Sequence, residues 1–167
     1  RVGMDGQKKQ PSGTGTMYHK KKGQNGNILV RSTFTTNVDT AIDGPDALVQ
    51  FEVKNARVTY SVPEASTELA CDTVVTSNSL VYLMAKMVLP QGLTIASSTT
   101  MQAVGIEAGS LTVEGDLKLT SGSVTVGGVL SVPNGGSLDL ATGVAVTTKT
   151  LNMAGAMNVR GGKVKST

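Results

Sequence analysis

The sequence predicts an all-β protein in which a small β-rich base is followed by a repetitive β shaft. Two observations lead to this fold class. Short apolar-x-apolar segments recur at a regular spacing in the second half of the chain. In addition, 20 of the 167 residues are Gly and only 3% are aromatic, which suits a narrow interior with tight corners better than a large aromatic core. No run approaches the roughly 18 apolar residues of a transmembrane helix, so we expect no membrane partner.

Residues 1–27 are predicted to form a flexible basic arm. The net charge is +6 over residues 1–31 and −3 over the rest of the chain. The arm is rich in Gly and shows almost no apolar periodicity, so it buries too little apolar surface to offset its chain entropy. Its lysines are the predicted binding residues, either for an acidic protein surface or, without sequence specificity, for nucleic-acid phosphates: Lys8, Lys9, Lys20, Lys21 and Lys22.

Residues 28–90 are predicted to form a compact, β-rich anchoring domain. Residues 47–53 and 57–62 alternate between apolar and polar side chains, which is the pattern of half-buried strands. We expect these two strands to pair as a hairpin across the short connection at residues 54–56.

One segment of this base is ambiguous. Residues 79–89 fit an amphipathic helix and a fully buried strand almost equally well, and Pro90 ends the element in both cases. The composition changes after Pro90, because residues 91–167 contain no aromatic side chain. We therefore place a domain boundary there.

Residues 91–167 are predicted to form a β-repeat shaft of 13–14-residue units. The first apolar position of successive units falls at residues 111, 124, 138, 151 and 164. Each unit contains two short apolar-x-apolar strands separated by a Gly-containing turn. A strand of about three residues is unstable alone, so stacking of the units must supply the stability. The predicted shaft core consists of Leu111, Val113, Leu117, Leu119, Val124, Val126, Leu130, Val132, Leu138, Leu140, Val144, Val146, Leu151 and Met153.

The two-strand unit, seen at residues 109–119 and 122–132, resembles the triple β-spiral shafts of viral fibres such as those of adenoviruses, in which three chains wind together. The short alternating strands also resemble the β-solenoid of bactofilins, polymer-forming cytoskeletal proteins in which three strands make one coil of a single chain. A 13-residue period would then be two-thirds of a coil. The layout of arm, base and shaft further resembles head fibres and decoration proteins of tailed bacteriophages.

These resemblances imply a structural protein rather than an enzyme. We expect a fibre or decoration protein at a viral capsid surface, in which the arm and base bind the capsid shell and the shaft projects. A homotrimer is expected, because three chains would supply the partners that short strands lack. The alternatives are a polymer-forming β-solenoid in a cytoplasmic filament and a coat protein whose basic arm binds nucleic acid.

Residues suited to catalysis or metal binding are too scarce to predict such a site. His19 is the only His and Cys71 the only Cys, so a zinc ligand set is lacking. The spacing of Asp39, Asp43 and Asp46 does not match a calcium-binding EF-hand loop, and we interpret them as turn residues. We therefore predict no catalytic residue, no metal and no cofactor.

Overall fold

The computed structural model describes residues 15–19, 24–31 and 39–166, which form a β-solenoid of about 7 turns, here called coils. The fold is all-β with 70% strand, and the described residues contain no helix. No helix long and apolar enough to cross a membrane is found in that part of the chain. The predicted fold class is thus confirmed, in the form of a solenoid.

The described residues contain sixteen strands, which belong to one continuous sheet. In chain order they are β1 Gly15–His19, β2 Gly26–Arg31, β3 Asp39–Asp43, β4 Ala47–Lys54, β5 Arg57–Ser61, β6 Glu68–Ser77, β7 Leu80–Leu89, β8 Leu93–Ile95, β9 Thr100–Ala108, β10 Leu111–Val113, β11 Asp116–Leu119, β12 Ser123–Val132, β13 Ser137–Leu140, β14 Ala145–Met153, β15 Ala156–Val159 and β16 Lys163–Ser166.

Three strand segments make one coil, so the solenoid has three faces. Face A contains β2, β8, β10 and the second halves of β4, β6, β12 and β14. Face B contains β3, β5, β11, β13, β15 and the first halves of β7 and β9. Face C contains β16, the first halves of β4, β6, β12 and β14, and the second halves of β7 and β9. Long strands such as β12 bend at a corner and belong to two faces.

Neighbouring strands within a face are parallel and in register, so equivalent side chains stack from coil to coil. On face A, Leu93 stacks with Leu111, Leu111 with Leu130 and Leu130 with Leu151. Each of these steps passes once through all three faces before the chain returns to face A. A coil is therefore longer than the repeat unit of the sequence, and a single chain closes it.

The 13–14-residue period of the sequence corresponds to two strands rather than one coil. Leu111 lies on face A, Val124 on face C and Leu138 on face B, so successive units do not stack on one another. Three units complete two coils, which is the two-thirds relation that a single-chain solenoid requires. Since one chain pairs its own strands, the argument for three winding chains no longer applies.

The predicted hairpin between residues 47–53 and 57–62 is wrong. β4 pairs with β2 and β6, whereas β5 pairs with β3 and β7, and all four pairings are parallel. The short connection carries the chain around a corner instead of reversing it, with Asn55 at φ 53°. Because alternation shows only that one side of a strand is buried, it cannot distinguish a hairpin from a solenoid corner.

The ambiguous segment at residues 79–89 is a strand, and it joins the two parts predicted to be separate domains. β7 pairs with β9 along both face B and face C, so the sheet continues across Pro90. The coils before Pro90 are wider and contain more residues than those after it. Ile28, Phe51 and Val74 stack at a larger sequence spacing than the face A leucines that follow Pro90. These wider coils hold the rings of Phe51 and Tyr60, whose centroids lie 5.2 Å apart in an edge-to-face arrangement.

Some corners bring successive coils too close together for any side chain. A Cβ added at Gly136 would overlap the backbone carbonyl oxygen of Val113 in the preceding coil. Gly127, in the bend of β12, provides a contrast, because no atom would lie nearer than 3.8 Å to its added Cβ. The requirement for Gly therefore comes from close backbone approach at particular corners rather than from the Gly content as a whole.

We predict that Gly136→Ala destabilises the protein by about 1–3 kcal/mol, as overpacking usually does. The expected fall in melting temperature is about 2 °C or more, whereas Gly127→Ala should leave it nearly unchanged. Thermal unfolding followed by circular dichroism measures both. Equal melting temperatures for the two variants would show that the close approach at Gly136 is unimportant.

Candidate assembly surface

The seventh coil leaves one of its two edges unpaired among the described residues. It consists of residues 150–153 of β14 together with β15 and β16. One edge bonds to the sixth coil through β12, β13 and the first half of β14. No described strand pairs with the opposite edge. That edge therefore presents backbone N–H and C=O groups on which another β-strand can pair.

The inward-facing apolar residues of this coil are the exposed ends of otherwise buried columns. Val146 is 1% exposed, while Val164, which stacks on it, is 37% exposed. The same change occurs in two other columns, from Leu140 at 0% to Val159 at 39% and from Val132 at 0% to Met153 at 39%. The seventh coil thus forms an apolar tip.

The first coil is partly covered. β1 pairs antiparallel with β2 over five residues and covers its outer edge, whereas no described strand pairs with the outer edge of β3. Ile28, Ile42 and Leu48 in this coil are only 3%, 7% and 1% exposed. The two ends of the described solenoid therefore differ, since only the C-terminal one exposes its interior.

The seventh coil and the corner that leads into it carry cations but no Asp or Glu. The corner holds Lys149, and the coil holds Arg160, Lys163 and Lys165. The Arg160 guanidinium donates to an Asp139 carboxylate oxygen in the sixth coil at 3.0 Å. Within the described part of the chain, the three lysines form no ion pair. Lys163 and Lys165 lie on the outer side of β16 and alternate with inward-facing Val164.

The residues predicted as shaft core lie inside the solenoid except in the seventh coil. There Leu151 is half-buried and Met153 is exposed. The other predicted core residues are all buried, namely Leu111, Val113, Leu117, Leu119, Val124, Val126, Leu130, Val132, Leu138, Leu140, Val144 and Val146. Burial thus ends where stacking ends.

The predicted binding lysines Lys8, Lys9, Lys20, Lys21 and Lys22 lie outside the described residues. Sequence reasoning placed the binding charge in that arm and missed the basic seventh coil. A signal for it was present, because residues 149–166 hold four cations without an acidic residue.

His19 borders a shallow hollow of about 170 Å³ between β1, β2 and β4, whose lining includes Asn27, Gln50 and Glu52. Burial by itself raises the pKa of Glu52, but hydrogen bonds and charge from Arg31 and Lys54 hold it below its ordinary value. The carboxylate is already neutralised by these cations at 2.7 and 3.0 Å. The Glu52 carboxylate therefore serves in a structural ion pair rather than as a free acid–base group.

The three aspartates considered for calcium have separate partners. Asp39 pairs with Arg57 at 2.9 Å, while Asp43 and Asp46 accept hydrogen bonds from the hydroxyls of Ser61 and Ser66. The described residues contain no group of three or more His, Cys, Asp or Glu placed to hold a metal ion.

The geometry defines a class of protein, a single-chain β-solenoid whose described part has one partly covered end and one open, basic end. Comparison of the chain with protein-family models, with curated proteins and with solved structures gives no match. The properties of the solenoid itself are therefore the basis for proposing a function.

Cys71 is predicted to be unreactive in the folded protein. It is 1% exposed, and burial raises the pKa of its thiol to about 11. The thiolate fraction near pH 8 should therefore fall about a hundredfold below that of an ordinary thiol. The rate of modification by a thiol reagent, native against denatured, measures this, with Cys71→Ala as the blank. A native rate within tenfold of the denatured rate would contradict it.

Proposed function

We propose that this protein is a non-catalytic structural subunit, a short rod that joins a second copy through its seventh coil. The observation that supports the proposal is the exposure of Val164, Val159 and Met153 at positions whose equivalents in the sixth coil are buried. Burying this apolar tip against an identical one would extend the core across the junction. With strands about 4.8 Å apart, the seven described coils span roughly 34 Å along the rod.

A second copy can provide hydrogen-bond partners for the backbone groups of the open edge, whereas a lipid surface cannot. The edge presents backbone polar groups beside apolar side chains, and lipid offers no partner for such groups. An identical coil offers both a strand edge and an apolar interior. A two-fold axis perpendicular to the rod makes facing strands antiparallel, which allows regular ladder hydrogen bonds.

The partly covered first coil supports pairing of like ends over head-to-tail stacking. Its apolar residues are already buried and β1 occupies the outer edge of β2. The open tip would therefore find neither exposed apolar surface nor a fully open ladder at that end. Pairing of like ends closes after two copies, so we infer a discrete dimer as the basic unit.

The biological roles and locations expected from the sequence remain predictions. The expectation of a trimeric fibre or decoration protein on a viral capsid drew on three chains winding together. A single-chain coil favours the alternative, a self-assembling solenoid of the bactofilin kind in a cytoplasmic filament. In such a filament the dimer would be one repeating unit, and the N-terminal region would provide further contacts.

Molar mass in solution tests the proposal directly. Light scattering over a range of protein concentrations should rise from 17.1 kDa to twice that mass and then stay constant. A plateau at three chains would support the trimer instead. Growth without limit would indicate open-ended stacking, and a monomer at every concentration and salt level would overturn self-assembly.

Val159→Gln should weaken the dimer by about tenfold or more, because the uncharged amide would be buried against the partner's apolar tip without a hydrogen-bond partner. Asn158→Gln is the matched control, since residue 158 is the neighbour of Val159 on β15 and faces outward. The control should keep the dimer. Sedimentation equilibrium measures both, with circular dichroism to show that each variant is folded; equal loss of dimer in both would contradict burial of Val159.

A further inference from the structure

We propose that Asn134 is a modification site, at which the side-chain amide is lost by spontaneous deamidation in the folded protein. The backbone nitrogen of Gly135 attacks the Cγ atom of Asn134 and loses its proton, and the side-chain nitrogen leaves as ammonia. The product is a five-membered succinimide ring. Because the reacting groups belong to adjacent residues, the reaction needs no partner but water. The chain has two Asn-Gly pairs, at residues 25–26 and 134–135, and the fold holds them in different ways.

Water opens the succinimide ring in one of two directions. If the bond between the Gly135 nitrogen and Cγ breaks, the product is aspartate. If the bond between this nitrogen and the backbone carbonyl carbon of residue 134 breaks, the product is isoaspartate, whose backbone runs through the former side chain. In both cases the net change is the uptake of one water molecule and the release of one ammonia molecule.

Asn134 and Gly135 are the two central residues of an exposed β-turn at the corner between faces A and B of the sixth coil. The Gly136 N–H donates to the Pro133 carbonyl oxygen at 3.0 Å and closes the turn. Gly135 has φ 92°, which is the geometry of a type II turn. The attacking nitrogen of Gly135 is therefore not the one that closes the turn.

The peptide group between Asn134 and Gly135 has room to rotate. Apart from its chain neighbours, no described residue has an atom within 4 Å of a Cβ added at Gly135. Gly also has no side chain that restricts φ. A flip of this peptide group leaves Pro133 and Gly136 in place and moves the Gly135 nitrogen past the Asn134 side chain. Ring closure then breaks no hydrogen bond between strands.

The other Asn-Gly pair is held by the sheet. Gly26 is a buried residue of β2 that pairs with Leu48 of β4. A Cβ added at Gly26 would overlap the ring of Tyr18. Ring closure at Asn25 would therefore pull the first residue of β2 out of the ladder. Loss of even one or two backbone hydrogen bonds should slow the reaction at Asn25 by about tenfold.

An isoaspartate at residue 134 would lengthen a turn whose ends are fixed. A Cβ added at Gly136 would overlap the Val113 carbonyl oxygen in the fifth coil, and one added at Gly155 in the seventh coil would overlap the carbonyl oxygens of Pro133 and Gly136. The ends of the turn are thus packed between the neighbouring coils. Isoaspartate adds one carbon to the backbone between these ends, so it should weaken stacking of the sixth coil, whereas aspartate leaves the backbone length unchanged.

Peptide mapping by mass spectrometry tests the site. The full chain is incubated at mildly alkaline pH, folded in one sample and in denaturant in another, because base removes the proton from the attacking nitrogen. Cleavage after Lys118 and Lys149 releases a peptide in which Asn134 is the only Asn or Gln. The mass gain from replacement of NH2 by OH should be similar at Asn25 and Asn134 in denaturant. In the folded protein it should be about tenfold or more faster at Asn134.

Asn134→Gln is the matched variant, because its longer side chain would have to close a less favourable six-membered ring. Its peptide should show no comparable mass gain. A folded-state rate at Asn134 no higher than at Asn25, or an equal mass gain in the variant, would overturn the proposal. The site is complete within one chain, so these outcomes are independent of the proposed dimer.

Thermal unfolding followed by circular dichroism tests the effect on the turn. Incubated protein enriched in isoaspartate at residue 134 should melt at a lower temperature than fresh protein. Asn134→Asp has the new charge without the longer backbone and should melt with the fresh protein. Equal melting temperatures for the isoaspartate form and Asn134→Asp would overturn the inference that the ends of the turn are fixed.

Discussion

The parallel, in-register ladder between coils is the constraint on which the rest of this structure depends. No coil has a core of its own, because three short strands enclose only one thin layer of side chains. Each coil is stabilised by apolar and backbone contacts with the coils on both sides. Stability is therefore shared along the rod, and it is lowest wherever a coil has only one neighbour. In the described solenoid that situation arises at the first coil, where β1 covers only β2, and at the seventh coil.

The ladder also determines which side chains fit, because stacking places the same position of each coil in one column. Wide coils near the N-terminal end accept the rings of Phe51 and Tyr60, whereas the narrower coils are filled by Leu, Val, Ile and Met. On the surface, stacking places equivalent side chains in rows. At one corner the side-chain amide of Asn78 donates to the side-chain oxygen Oδ1 of Asn55 at 3.0 Å. In another row, the Lys86 ammonium donates hydrogen bonds to the carboxylates of Glu107 and Glu68, and these bonds raise the pKa of Lys86.

The sequence was sufficient to predict an all-β chain and the narrow aliphatic interior, because both follow from local composition and alternation. It was not sufficient to predict how strands pair. Residues 47–53 and 57–62 alternate as a hairpin would, yet the corner at Asn55 sends the second strand to another face. The 13–14-residue spacing is present in the structure, but it covers two strands, whereas a coil has three. Leu111 and Val124, one unit apart, therefore lie on different faces. Pairing between positions a full coil apart leaves no local signal, so only the three-dimensional fold reveals it.

The basic tip illustrates the same limit for the candidate site. Four cations are spread along the sequence from β14 to β16, namely Lys149, Arg160, Lys163 and Lys165. They form a weaker sequence signal than the three consecutive lysines at residues 20–22. The fold gathers them around one apolar end. Open strand edges invite uncontrolled pairing, and charged side chains are a common protection against it. The described tip therefore combines exposed apolar side chains, which favour association, with like charges, which oppose it. In the proposed dimer, the balance between these two effects would depend on ionic strength.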